Sequence, residues 1–191
     1  MKSICVFCSS SDSIDEVYFK TAIDLGCQIG DLKLDLVYGG GGIGLMGAVA
    51  RSVHKNGGRV VGVFPEFLRE KDEGFEYIEA DELIIAETMR IRKAIMDERA
   101  DAFIVLPGGI GTLEEAIEIM SMKQLGLTDK PLAFVNTNNF YDSLISNFQM
   151  MVGLKFAKSS ILDLFAVCPN PSSALEFILS YKSKKKDNKY L

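Results

Sequence analysis

Nine consecutive residues, Pro107-Gly108-Gly109-Ile110-Gly111-Thr112-Leu113-Glu114-Glu115, join a glycine loop to a helix start and a pair of carboxylates. Ahead of them, Ala102-Phe103-Ile104-Val105-Leu106 reads as a strand buried on both faces, and a helical pattern begins at Thr112. Glycine permits positive φ and lets a ligand approach the main chain, and the N–H groups of a first helical turn have no partner inside the helix. The stretch suits an anion such as phosphate, with Glu115 one turn further on as an acid/base group.

Two helix faces carry groups that do not suit a solvated surface. At 100° per residue, the helix from Thr112 places Leu113, Ala116, Ile117 and Met120 on one side, the expected sheet-facing stripe. Glu115, Ile119 and Met122 fall on the other side, expected to pack against another helix or a second subunit. The helix from Thr88 sets Ile91, Ala94 and Ile95 in one stripe and Met89, Arg92, Lys93 and Met96 opposite. Cations among thioethers suit a wall for a phosphorylated sugar and the flat face of a base, although snorkelling side chains give the same pattern. Burial raises the pKa of a carboxyl such as Glu115, whereas a nearby cation lowers it.

Other chemistries have less support. His54 is the single histidine, and no second one supports a Ser-His or histidine-rich metal site. Cys5 and Cys8 lie three apart on a strand, which sends them to opposite faces and argues against a zinc or redox pair. Free thiols fit a reducing compartment. A net charge of -5 argues against a general nucleic-acid binder, the exception being a basic tail over residues 182–191, read as solvated. No apolar run approaches the ~20 residues that span a bilayer, and Met1-Lys2-Ser3-Ile4 leads into a strand rather than a signal peptide; a cytoplasmic protein that binds neither membrane nor nucleic acid is expected.

The elements that position these groups alternate. Strand-like runs cover residues 3–8, 34–38, 60–64, 83–85, 102–106 and 132–135, and helical patterns cover 15–32, 45–55, 88–99, 112–124, 141–151 and 172–181. Alternation of this kind predicts an α/β, Rossmann-like, doubly wound parallel sheet with helices on both faces, formed as one domain over residues 1–181. Ligands bind such sheets beyond the carboxyl ends of the strands. Three of those ends carry small residues: Ser9-Ser10-Ser11, the loop from Gly39 through Gly40 and Gly41 to Gly44, and the Pro107 motif. The Gly39 loop is a loose G-x-G-x-x-G, but no acidic residue ends the next strand as a dinucleotide site requires, and neither glycine loop continues into Gly-Lys-Ser/Thr. A mononucleotide or sugar phosphate held between the two loops fits better.

Together these residues resemble the Lonely Guy family of cytokinin-activating phosphoribohydrolases, whose bacterial members were often labelled lysine decarboxylases. The resemblance covers about the first 150 residues. The family's P-G-G-x-G-T-x-x-E motif is complete as Pro107, Gly108, Gly109, Gly111, Thr112 and Glu115; its Arg-Lys pair matches Arg92-Lys93; its Tyr-Gly-Gly-Gly and Gly-Leu-Met-Gly loops match residues 38–41 and 44–47. Val6-Phe7-Cys8-Ser9-Ser10 is similar too, with Ser9 where the family commonly has Gly. Arg90 and Ile110 depart from the family's His and Tyr and bear on the fit of the base.

The resemblance implies hydrolysis of the N-glycosidic bond of an N6-modified adenosine 5'-monophosphate, with Arg92 and Glu115 catalytic and a homodimer as the assembly. Main-chain N–H groups around Gly109, Gly111 and Thr112 would hold the phosphate, with Gly108 and Ile110 as further substrate contacts, and Glu115 would lie near the ribose, where oxocarbenium character develops. Met89 would border the base, and Lys93, Glu114 and Ser121 are further candidate contacts. No metal or redox cofactor is required. The alternatives are a non-catalytic nucleotide or cofactor carrier, which needs the loops but not Glu115, and a decarboxylase, which needs a lysine-bound cofactor although no lysine lies within or beside the motif in sequence.

Overall fold

The computed structural model describes residues 1–71 and 74–182, so the basic tail lies outside the described residues from position 183 onward. Seven strands form one sheet in the order β4-β3-β2-β1-β5-β6-β7, every neighbouring pair parallel. They are β1 (Ser3–Phe7), β2 (Asp35–Tyr38), β3 (Val60–Pro65), β4 (Glu82–Ala86), β5 (Ala102–Val105), β6 (Leu132–Val135) and β7 (Ala166–Cys168). The connecting helices are α1 (Glu16–Asp31), α2 (Gly44–Lys55), α3 (Glu66–Lys71), α4 (Met89–Arg99), α5 (Ile110–Gln124), α6 (Asp142–Gly153) and α7 (Pro171–Ser180). The predicted doubly wound fold is present. Two elements were not anticipated: α3, six residues long, and β7, whose three residues are too short to carry a period.

Each face of the sheet has its own core. Leu25 and Ile29 of α1, Val49 and Val53 of α2 and Leu175 of α7 cover one face; Met96 of α4, Ala116 and Ile119 of α5 and Phe148 of α6 cover the other. Cys8 joins the first core and Cys5 the second, as their odd spacing requires, and all four cysteines are free thiols.

Two stripes differ from the sequence expectation. On α5 the buried residues are Thr112, Ala116, Ile119, Met120 and Lys123, whereas Ile117 is exposed and Leu113 half-buried. Two polar members hide this stripe from a hydrophobic count: Thr112 packs beneath the loop, and Lys123 carries its ammonium to the Lys130 carbonyl at 2.6 Å. On α4 the buried residues are Arg92 and Met96, while Ile91 is exposed. Both helices are therefore rotated so that Arg92 and Glu115 face each other at the edge of the core.

Candidate active site

Strand order reverses at β1, whose neighbours are β2 and β5, and the loops leaving β1 and β5 meet at this switch point. Ser9 N–H donates to Pro107 O at 3.3 Å, joining the serine loop to the glycine loop. Tyr141 O–H donates to Leu106 O at 2.6 Å and pins the chain just ahead of the motif. Gly109 is the N-cap of α5 and no side chain caps that end, which leaves the N–H groups of residues 110–112 without helical partners. Gly108 is needed for a steric reason: a Cβ there would lie 2.2 Å from Thr112 Oγ1.

These loops line a cavity of about 450 Å³ that brings together Ser9, Met89, Arg92, Gly109, Ile110, Gly111, Thr112, Glu114 and Glu115. Cys8, Ser10, Ser11 and Met46 line it as well; the serine run and the Gly-Leu-Met-Gly motif were their sequence signals. Ile110 stands 83% exposed at its rim.

Arg92 and Glu115 form the buried centre. The guanidinium donates through Nη1 to Glu115 Oε1 at 2.7 Å and through Nε to Val63 O, at the end of β3, at 2.8 Å. Nη2 lies against Gly39, where a Cβ would approach it to 2.0 Å. Both side chains are nearly closed to solvent, 9% and 12% exposed. Burial raises the Glu115 pKa, and the opposing pull of Arg92 does not cancel it. The carboxyl is thus held above its ordinary pKa beside a fixed cation.

Lys93 stands beside this centre, bridging the helices. Its ammonium donates to Glu114 Oε1 and lies 2.7 Å from Glu118 Oε2, so its charge is spent on α5. Burial would lower its pKa, but the two carboxylates outweigh it and raise the value.

Gly40 and Gly41 do not line the cavity. Tyr77 N–H donates to Gly40 O at 2.8 Å, Gly41 bridges Glu76, and Gly42 N–H donates to Phe75 O at 2.6 Å, so residues 75–77 close that loop. The N-terminus of α2 behind it is also occupied, by Asp12 Oδ1 on Gly44 N–H at 2.9 Å and by Ser9 O on Leu45 N–H at 3.0 Å. One glycine loop offers open N–H groups rather than two, and the Gly39 loop supports Arg92 instead. Ser121 lies outside the site too: it is six residues beyond Glu115, about 9 Å along the axis, exposed, with its hydroxyl donating to Ile117 O at 2.8 Å.

A second cavity, of about 260 Å³, lies between α4 and α5. Glu115 is the one residue common to the two linings. Among the described residues no group of three or more His, Cys, Asp or Glu could hold a metal ion, and no helix is long and apolar enough to cross a membrane.

The geometry has counterparts. Residues 46–178 match the family model described as "Possible lysine decarboxylase". Two proteins of Arabidopsis thaliana, both named cytokinin riboside 5'-monophosphate phosphoribohydrolase, are 39% and 41% identical over 186 and 182 residues, covering 97% and 95% of this chain and 86% and 78% of theirs. The likeness therefore runs past the first 150 residues into the last helix. A molybdenum cofactor binding protein from Rippkaea orientalis superposes with a TM-score of 0.70 at 22% identity, covering 94% of this chain and 97% of its own, a likeness of fold. With a match over most of the chain and the Arg92, Gly108 to Thr112 and Glu115 constellation assembled at one switch point, the chain belongs to the Lonely Guy family of cytokinin riboside 5'-monophosphate phosphoribohydrolases.

Proposed function

We propose that the protein hydrolyses the N-glycosidic bond of adenosine 5'-monophosphates, N6-substituted ones included, to the free base and ribose 5-phosphate. The observation that carries this is the buried Arg92–Glu115 pair in a cavity walled by the uncapped start of α5. The N–H groups of residues 110–112, with the positive end of the α5 dipole, hold the 5'-phosphate. Glu115, one turn along, takes a proton from the attacking water and offsets the positive charge that grows on the ribose. Arg92, fixed by Val63 O, keeps that carboxylate in place and turns its remaining N–H groups to the substrate. Met89 and Met46 flank the base, and Ile110 at the rim stands where an N6 substituent leaves the cavity.

The decarboxylase description fits less well. The lysine at this site is Lys93, which neighbours the motif in space, and it is held by Glu114 and Glu118 rather than free to form a Schiff base.

A cytoplasmic homodimer without nucleic-acid partners completes the reading. Ile119, first expected on the dimer surface, is part of the chain's own core, so the contact moves to the exposed Ile110 and Ile117 of α5. Light scattering that finds a monomer at micromolar concentration removes the dimer.

The test of the activity is a panel of nucleoside 5'-monophosphates scored for released base, with the matching nucleosides as controls. Cleavage of nucleotides alone is expected. Equal cleavage of unphosphorylated nucleosides would overturn the role of the loop, and no cleavage of any nucleotide would overturn the reaction.

A further inference from the structure

The cavity between α4 and α5 has no part in the reaction as described so far, yet it ends on the same carboxylate. Its outer end is at Ala94 and Glu98, which are exposed; its inner end is at Phe7 and Ile119, which are buried, and at Glu115. The cavity thus reaches from the surface to the edge of the core beside Glu115. At about 260 Å³ it is smaller than the ~300 Å³ at which ligand pockets begin, but it exceeds several times the ~30 Å³ of one water. Glu115 uses Oε1 on Arg92, and among the described residues no protein donor is placed on Oε2.

A nucleotide seated in the glycine-loop cavity covers Glu115 from that side, while the reaction still needs one water and must still return a proton to solvent. From this geometry, and resting on the acid/base role proposed for Glu115, we infer that the α4–α5 cavity is the passage that supplies the hydrolytic water to Glu115 behind the bound nucleotide. The water oxygen bonds to C1' as the C1'–N bond breaks and its electron pair leaves with the base. One water proton passes to Glu115 and on to the base or solvent, so nucleotide plus water gives base plus ribose 5-phosphate. Phe7, Ile119 and Met122 give the passage an apolar side, and Lys93, Asp97 and Glu118 give it a charged side that water wets. Met122, in the lining of the cavity, sits about 140° around α5 from Ile117 of the proposed dimer contact.

The test narrows the passage without touching the glycine-loop cavity. Ala94→Phe and, independently, Met122→Phe are assayed with the nucleotide cleaved best, in buffer with and without methanol. The expected result is a fall in kcat of about tenfold with KM little changed, and a fall in the ratio of methyl riboside 5-phosphate to ribose 5-phosphate, because methanol needs the wider path. A fold intact by thermal melt with kcat and ratio both unchanged overturns the passage. So does a lower kcat with an unchanged ratio, which marks distortion of the site. The variant Glu115→Gln separates the two ideas: wild-type turnover in it removes the role of Glu115, whereas an inactive Glu115→Gln beside unaffected Ala94→Phe and Met122→Phe removes the passage alone.

Discussion

Arg92 meets Glu115 through one nitrogen, Nη1 on Oε1 at 2.7 Å, while its Nε is committed to the main-chain carbonyl of Val63 at 2.8 Å. The plane of the guanidinium is therefore set by the end of a strand before any substrate arrives, and preorganised donors of this kind act without reorganisation in the transition state. Replacing Glu115 by Gln keeps the shape and removes the proton acceptor. Turnover should fall about 10²- to 10⁴-fold, with nucleotide affinity measured by calorimetry nearly unchanged; a parallel loss of affinity would mean that the carboxylate binds rather than catalyses.

Gly39 should matter as much as a residue that touches substrate. Its added Cβ would meet Arg92 Nη2 at 2.0 Å, so Gly39→Ala must move the guanidinium. An ångström of misplacement costs up to about 100-fold in rate. In a double-mutant cycle the effect should largely vanish in an Arg92→Ala background, and independent, additive losses would assign Gly39 some other role.

The pH response of stability has a definite sign. Burial raises the folded-state pKa of Glu115 above its ordinary value, so between those two values the native state binds more protons than the unfolded chain and stability falls as pH rises. Urea unfolding of the wild type, compared with Glu115→Gln at a series of pH values, should show this loss on going upward through the window. The opposite slope would mean that Arg92 outweighs burial. With Glu115 as the proposed base, turnover should rise with pH through a limb displaced above the usual carboxylate range.

The loop itself can be perturbed without removing any charge. Gly108→Ala would drive a Cβ to 2.2 Å from Thr112 Oγ1 and displace the first turn of α5. We expect KM for the nucleotide to rise by about tenfold or more, because uniform binding is lost, and inhibition by ribose 5-phosphate to weaken in step. An unchanged KM would place the phosphate elsewhere.

Lys93 separates a structural from a substrate-binding cation. Its partners Glu114 and Glu118 are about half exposed, so the pairs contribute about 1 kcal/mol or less. Lys93→Met should lower Tm by no more than about 2–4 °C and leave KM alone, whereas a large rise in KM would show that the ammonium leaves α5 for the phosphate.

The alternation of strands and helices, the boundaries of most elements and the motif at β5 were legible because each rests on local periodicity or glycine chemistry. The faces of α4 and α5 were not. A hydrophobic count places Ile91 and Ile117 inward, but the structure buries Arg92, Thr112 and Lys123: Thr112 packs beneath the glycine loop, and Arg92 and Lys123 find polar partners elsewhere, Val63 O and Glu115 for the one and Lys130 O for the other. A buried polar side chain can be recognised only when its partner is known, and these partners are distant in sequence. The same limit hid the function of Gly39, whose neighbour Arg92 lies 53 positions on. The role of residues 75–77 in closing the Gly39 loop was also invisible, since main-chain hydrogen bonds leave no mark on residue type.

The placement of β1 in the middle of the sheet also governs how the protein is made. During synthesis β2, β3 and β4 can assemble on one side of β1 as soon as they emerge, but its other edge stays unpaired until β5 arrives, almost a hundred residues after β1 itself. That open edge belongs to a strand buried along its whole length in the finished fold, with the sequence Ser3-Ile4-Cys5-Val6-Phe7. A chain stalled or cleaved between β4 and β5 would thus present this apolar strand as a template for a stray partner, so the switch point that brings Arg92 and Glu115 together is also the place where an unfinished chain is most exposed to aggregation.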